Sequence, residues 1–107
     1  MKPIAFEGDS LNCLRRFPQT ARREAGYQLD RVQTGLQPDD FKPMGAVGPG
    51  AYEIRVRDSA GAFRVIYVAK LAEAVYVLHA FQKKTEQTAQ HDIELARKRY
   101  RALMQKR

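Results

Sequence analysis

Tyr52-Glu53-Ile54-Arg55-Val56-Arg57 alternates apolar and charged side chains residue by residue. Successive side chains of an extended strand point to opposite faces, so Tyr52, Ile54 and Val56 belong to a buried face and Glu53, Arg55 and Arg57 to the other. Asp58-Ser59-Ala60-Gly61 supplies turn chemistry directly afterwards. Phe63 to Ala69 and Ala74 to Phe81 are rich in Val, Tyr, Ile and Phe, and only Lys70 to Glu73 separates them. Residues of those types favour strands, and a link that short favours a hairpin, so a three-stranded antiparallel meander is expected at the centre of the fold.

Upstream, Lys2 to Phe6 alternates weakly and reads as a first strand ended by Glu7-Gly8. Asp9 is placed to cap a helix running to about Phe17, with Leu11 and Leu14 inward, and Pro18 suits the first turn of another. Ala21, Ala25, Leu29, Val32 and Leu36 recur at spacings of three and four, one apolar stripe, with Gly35 where a helix stop belongs. Gln37 to Gly50 holds three prolines and three glycines and reads as a long loop. Downstream, Thr88 is placed to cap a last helix with Ala89, Ile93, Ala96, Tyr100 and Leu103 on its inner side. The expected order is β-α-α-β-β-β-α: an α+β fold with a mainly antiparallel sheet, two helices on one face and a C-terminal helix. Neither side of the Pro/Gly loop could close a core alone, so residues 1–107 are expected to form one domain.

Composition narrows the function. The apolar fraction of 44% belongs to a folded chain. No run approaches a membrane span, and Met1-Lys2-Pro3-Ile4 lacks the apolar core of a signal peptide, so a cytoplasmic protein without a membrane partner is expected. Cys13 is the single cysteine and sits beside Leu11 and Leu14, which suits packing in a reducing compartment. One cysteine and two histidines, His79 and His91, give no zinc-site spacing, and neither phosphate-loop nor dinucleotide-loop glycine patterns occur. Neither metal nor cofactor is expected. The net charge of +7 draws polyanions and puts nucleic acid first among partners.

The charges that could carry chemistry converge on the meander. Arg55 and Arg57 share a strand face, Arg64 begins the next strand across a tight turn, and Lys83-Lys84 end the last. Tyr67 and Phe81 offer rings on which an unpaired base could stack beside these cations. Taken singly, each has an ordinary structural reading: solvated strand arginines, edge-strand lysines, core aromatics. His79 alternates with Val75 and Val77, which fits a hydrogen-bonded core histidine better than a catalytic one. Arg97, Lys98, Arg99 and Arg101 on the last helix are given at most a supporting electrostatic role. Clustering, not residue type, singles out the meander.

Three stretches together resemble the phage-derived, HigB-like branch of the RelE/ParE toxins: Gly50 to Arg57, Gly61 to Val68, and Val77 to Thr85. Ile93 to Arg99 and Lys42-Pro43-Met44 are similar to that branch as well. The resemblance implies a type II toxin–antitoxin toxin that is a metal-independent endoribonuclease, cutting mRNA on the ribosome by attack of the ribose 2′-OH on the adjacent phosphate. It implies a cognate antitoxin with a helix-turn-helix domain, and contact with operator DNA only through that antitoxin. Carried over residue by residue, it matches Arg55, Arg64, Lys83 and Lys84, the candidates for catalysis, to the family's basic residues; Arg57, Tyr67, Phe81 and Lys42 are the candidates for RNA binding. Relatives with a C-terminal tyrosine near the cleaved phosphate find no match here, because none follows Lys84 closely and Tyr100 lies on an apolar stripe. Two other functions share the scaffold: a ParE-like toxin that binds gyrase without cutting RNA, and a non-catalytic RNA-binding regulator of phage origin. Of the two lysines, Lys84 is expected nearer the reacting phosphate, lifted above the sheet by the turn that Thr85 begins.

Overall fold

The computed structural model describes residues 1–106. In chain order the elements are β1 (Ile4–Phe6), α1 (Ser10–Arg15), α2 (Gln19–Gln33), β2 (Phe41–Pro43), β3 (Ala51–Asp58), β4 (Gly61–Val68), β5 (Val75–Lys83) and α3 (Gln90–Gln105). The strands form one sheet in the order β1-β5-β4-β3-β2. β1 runs parallel to β5 and all other neighbours are antiparallel. The expected α+β layout holds with one addition: three residues of the Pro/Gly-rich segment form β2, which pairs with β3 from Phe41↔Ile54 to Pro43↔Tyr52. Composition hid this strand because proline is tolerated at a sheet edge, where its missing N–H faces no partner.

The two faces of the sheet are filled by different elements. Ile54, Val56, Phe63, Val65, Tyr67, Val75, Val77 and Ala80 pack against Leu14 and Phe17, at and just beyond the end of α1, and Ala21, Ala25, Leu29 and Val32 of α2. On the other face Ala51, Ile66, Val68 and Leu78 pack against Ala96, Tyr100 and Leu103 of α3, with Met44 and Val47 closing the edge. Leu78 is the extra residue of a β-bulge, since Ile66 pairs with His79 and Tyr67 with Val77.

Several element ends differ from the sequence reading. α2 stops at Gln33 with Gly35 at φ +87°, the Gly35 N–H bonding the Val32 carbonyl and the Leu36 N–H the Arg31 carbonyl. This double closure is a Schellman motif, and it expels Leu36 from the apolar stripe to 54% exposure. Pro18 stands one residue earlier than expected, as the cap of α2, its carbonyl accepting from the Arg22 N–H. Asp9 occupies the cap position of α1 without capping it; its carboxylate accepts instead from Arg99 Nη2 at 2.5 Å. Arg99 also donates to the Leu78 carbonyl at 2.8 Å, so this α3 cation ties three elements together rather than lying on a solvated face. Tyr100 is buried as expected, and its hydroxyl donates to the Pro49 carbonyl at 2.6 Å. A Cβ on Gly48 would lie 2.4 Å from that ring, so only glycine lets the β2–β3 segment close on α3.

Candidate nucleic-acid interface

Strand registers settle which predicted residues share a surface. Paired residues of neighbouring strands point to the same face, and the pairings Arg55↔Arg64 and Arg64↔Phe81 form one row. Arg57, Ala62 and Lys83 form the next. A third holds Lys42, Glu53, Ile66 and His79. All three rows lie on the α3 side, where α3 covers Ile66, Val68 and Leu78 and reaches His79 through Asp92, while Arg57 is left exposed at the far end. Arg57, Ala62, Arg64, Lys83, Lys84, Thr85 and Glu86 surround a cavity of about 500 Å³ beside them. A second, of about 390 Å³, runs from Phe81 over Lys83 and Lys84 to His91.

Arg64 lies deeper than a solvated strand arginine would. It is 3% exposed, and its Nη1 donates to the Phe63 carbonyl at 3.0 Å. Its Nε stands 3.5 Å from Glu53 Oε1, and Glu53 is itself fully buried. Burial, the largest influence, pulls the Arg64 pKa below the ordinary guanidinium value while Glu53 pushes it back up; at neutral pH the group stays charged. Lys42 Nζ approaches Glu53 at 3.9 Å, and Arg55 Nη1 approaches Asp40 at 3.8 Å. Arg57 is exposed at the rim.

The two lysines separate. Lys83 is the last residue of β5 and shares its face with Arg57 and Arg64, whereas Lys84 is the first residue beyond the strand and is exposed. Desolvation first, then the charge of Arg64, lowers the pKa of Lys83, which makes it the readier proton donor. This geometry favours Lys83 over Lys84 for a place next to Arg64. The link beyond them crosses back over the sheet: the Thr88 hydroxyl donates to Glu53 Oε2 at 2.8 Å, and Ala89 rather than Thr88 caps α3.

Phe81 is half-buried and stacks on His79, ring centroids 4.9 Å apart at 24°. His79 Nε2 and Asp92 Oδ1 lie 2.7 Å apart, both residues buried. Burial lowers the imidazole pKa more than Asp92 raises it, so neutral His79 donates to Asp92, the hydrogen-bonded core histidine expected from its strand position. The face of Phe81 is thereby fixed by a neighbour that is itself anchored to α3. Tyr67 is not part of this surface. It points to the α1–α2 side, 4% exposed and stacked on Tyr52 at 6.0 Å, and burial pushes its hydroxyl up to about 12. The bulge at Leu78 changes the phase of β5 but not of β4, so strand parity separates Tyr67 from Arg64 while keeping Phe81 beside it.

Glu53 and Thr88 were missed as site residues. A carboxylate two and four positions before arginines was visible in the sequence, but alternation assigned it to the open face. Its burial comes from the link before α3, which is remote in sequence. Among the described residues no three His, Cys, Asp or Glu side chains converge as a metal site would require, and no helix is long and apolar enough to cross a membrane.

Residues 12–101 match the family described as "Phage derived protein Gp49-like (DUF891)". The chain belongs to this Gp49-like family. No curated protein matches it by sequence. Among solved structures, a double mutant of the E. coli toxin RelE in the free state is similar in fold, with a TM-score of 0.65 over 95% of this chain and 97% of that one, at 18% identity. The Gp49-like chain thus has a RelE-like fold.

Proposed function

We propose that this Gp49-like protein is the toxin of a type II toxin–antitoxin pair and acts in the cytoplasm as a metal-independent endoribonuclease on mRNA at the ribosome. The observation that carries the reading is the convergence of Arg55, Arg57, Arg64 and Lys83 on one sheet face beside the half-buried ring of Phe81, with Arg57, Arg64, Lys83 and the adjoining Lys84 around one cavity. RNA brings its own nucleophile. A protein need only align the 2′-OH with the phosphate, stabilise the added charge and move protons. Arg64 presents its guanidinium to the developing phosphorane, Arg55 neutralises the neighbouring oxygens, the attacking 2′-OH releases its proton to water, and Lys83 donates a proton to the leaving 5′-oxygen. Lys84, Arg57 and Lys42 hold flanking phosphates, and Phe81 stacks a base. The antitoxin, with its own helix-turn-helix domain, neutralises this basic surface and carries the pair to operator DNA.

Mapping mRNA ends in a translating extract tests the reading. New ends that disappear when the antitoxin is added are expected. Growth arrest without new ends would instead point to a gyrase-type target, and neither effect would remove the toxin reading altogether.

A further inference from the structure

Glu53 is more deeply buried than a carboxylate serving only stability should be. Its Oε1 has no hydrogen-bond partner among the described residues, and neither has the buried Nε of Arg64 facing it at 3.5 Å. Taking both ions from water is offset only by excellent geometry and further hydrogen bonds, and here the facing atoms make no hydrogen bond to each other, with only Thr88 on Glu53 Oε2 and the Phe63 carbonyl on Arg64 Nη1 to compensate. A buried pair so poorly satisfied needs another reason for its presence.

We infer that Glu53 is a positioning residue of the site, setting Arg64 and Lys42 from one side and, through Thr88, the 84–89 link from the other. This rests on the ribonuclease reading. The carboxylate stands at the Nε edge of Arg64 and draws the guanidinium against the sheet, while Arg64 still lines the cavity shared with Lys83, Lys84 and Arg57. A phosphate entering that cavity meets a donor group already aimed, so little reorganisation remains for the reacting state. Without the charge of Glu53, Arg64 is pushed outward by Arg55 and Arg57, both of which lower its pKa. It then grips phosphate freely but off-line. The same carboxylate holds Thr88 at 2.8 Å and so fixes the segment that follows Lys83 and Lys84.

Turnover therefore falls without any loss of binding. Glu53→Gln keeps the volume and the acceptor for Thr88 but adds one net positive charge. In a translating extract, the maximal single-turnover rate should fall ~10-fold or more, as a misaimed group costs, while the half-saturating protein concentration stays constant or drops. Thr88→Val should slow the maximal rate by less, and Thr88→Ser should restore it. A folded Glu53→Gln protein at the wild-type maximal rate overturns the inference, as does a defect confined to half-saturation. If Glu53→Gln does not fold, the Thr88 pair decides, and Thr88→Val indistinguishable from wild type overturns it. Failure of the wild-type protein to cleave RNA would remove the nuclease reading and this inference with it; wild-type cleavage matched by Glu53→Gln would remove only the latter.

Discussion

The two faces of the central sheet are made by the same three strands and obey different rules. On the α1–α2 side every central position is apolar and buried, from Ile54 and Val56 through Phe63 and Val65 to Ala80. On the α3 side Ile66, Val68 and Leu78 are equally buried, but Glu53 and Arg64 are buried as ions while Arg57 is left in water. Period-two alternation along β3 therefore identified Tyr52, Ile54 and Val56 as one packed face and gave the other only as charged. A face packed by helices along its length needs apolar side chains throughout, whereas one covered at one end grades from core to site within a strand.

The largest expected effect tests the first face against the rim of the second. Ile54→Ala should cost about 3 kcal/mol, as loss of buried methylenes with partial cavity collapse does. Arg55→Ala, at its half-buried strand neighbour loosely paired with Asp40, should cost only about 0.5–1 kcal/mol, as loss of a partly exposed ion pair does. Urea unfolding of both proteins measures the contrast, and equal losses would mean that Arg55 also carries packing.

Next comes chemistry at a buried ion. Arg64→Lys leaves Glu53 a counter-charge but removes the planar fork, so cleavage should fall by ~10²-fold, comparable to loss of one transition-state donor. Mapped mRNA ends give the rate, and a melting curve close to wild type keeps the comparison fair. Full activity would make Arg64 a purely structural cation.

The aromatic pair sharpens the separation of faces. Phe81→Ala should weaken RNA affinity by about 1 kcal/mol or more, the scale of one lost base stack. Tyr67→Phe should leave affinity unchanged, because that ring faces α2 and Tyr52. An affinity loss in Tyr67→Phe equal to that of Phe81→Ala would contradict the register that separates them.

The smallest expected effect concerns pH. Burial, opposed by Asp92, holds the folded-state pKa of His79 below its ordinary 6.5, so the unfolded chain binds the extra proton first as pH falls. Stability due to neutral His79 is complete above about pH 6.5 and is lost as pH drops through the depressed folded value. Urea midpoints between pH 7 and pH 5 should decline in the wild type and less in His79→Gln. A parallel decline would move the proton-linked loss elsewhere.

The meander, both long helices and the cationic cluster were legible because each depends on a local period: two along β3, three and four along α2 and α3. Tyr67 was misplaced because a base platform and a core ring have the same sequence pattern, and only strand parity relative to Arg64 distinguishes them. Local pairing alone gathers Arg55, Arg57, Arg64 and Lys83 on one sheet, since a short turn and a hairpin leave little freedom in how these strands pair. Which of the charges lie in the interior is set by long-range packing. That depends on where the link before α3 crosses the sheet, with Thr88 reaching Glu53 across 35 residues. Burial is a property of what covers a residue, and here the covering segments are distant in the chain.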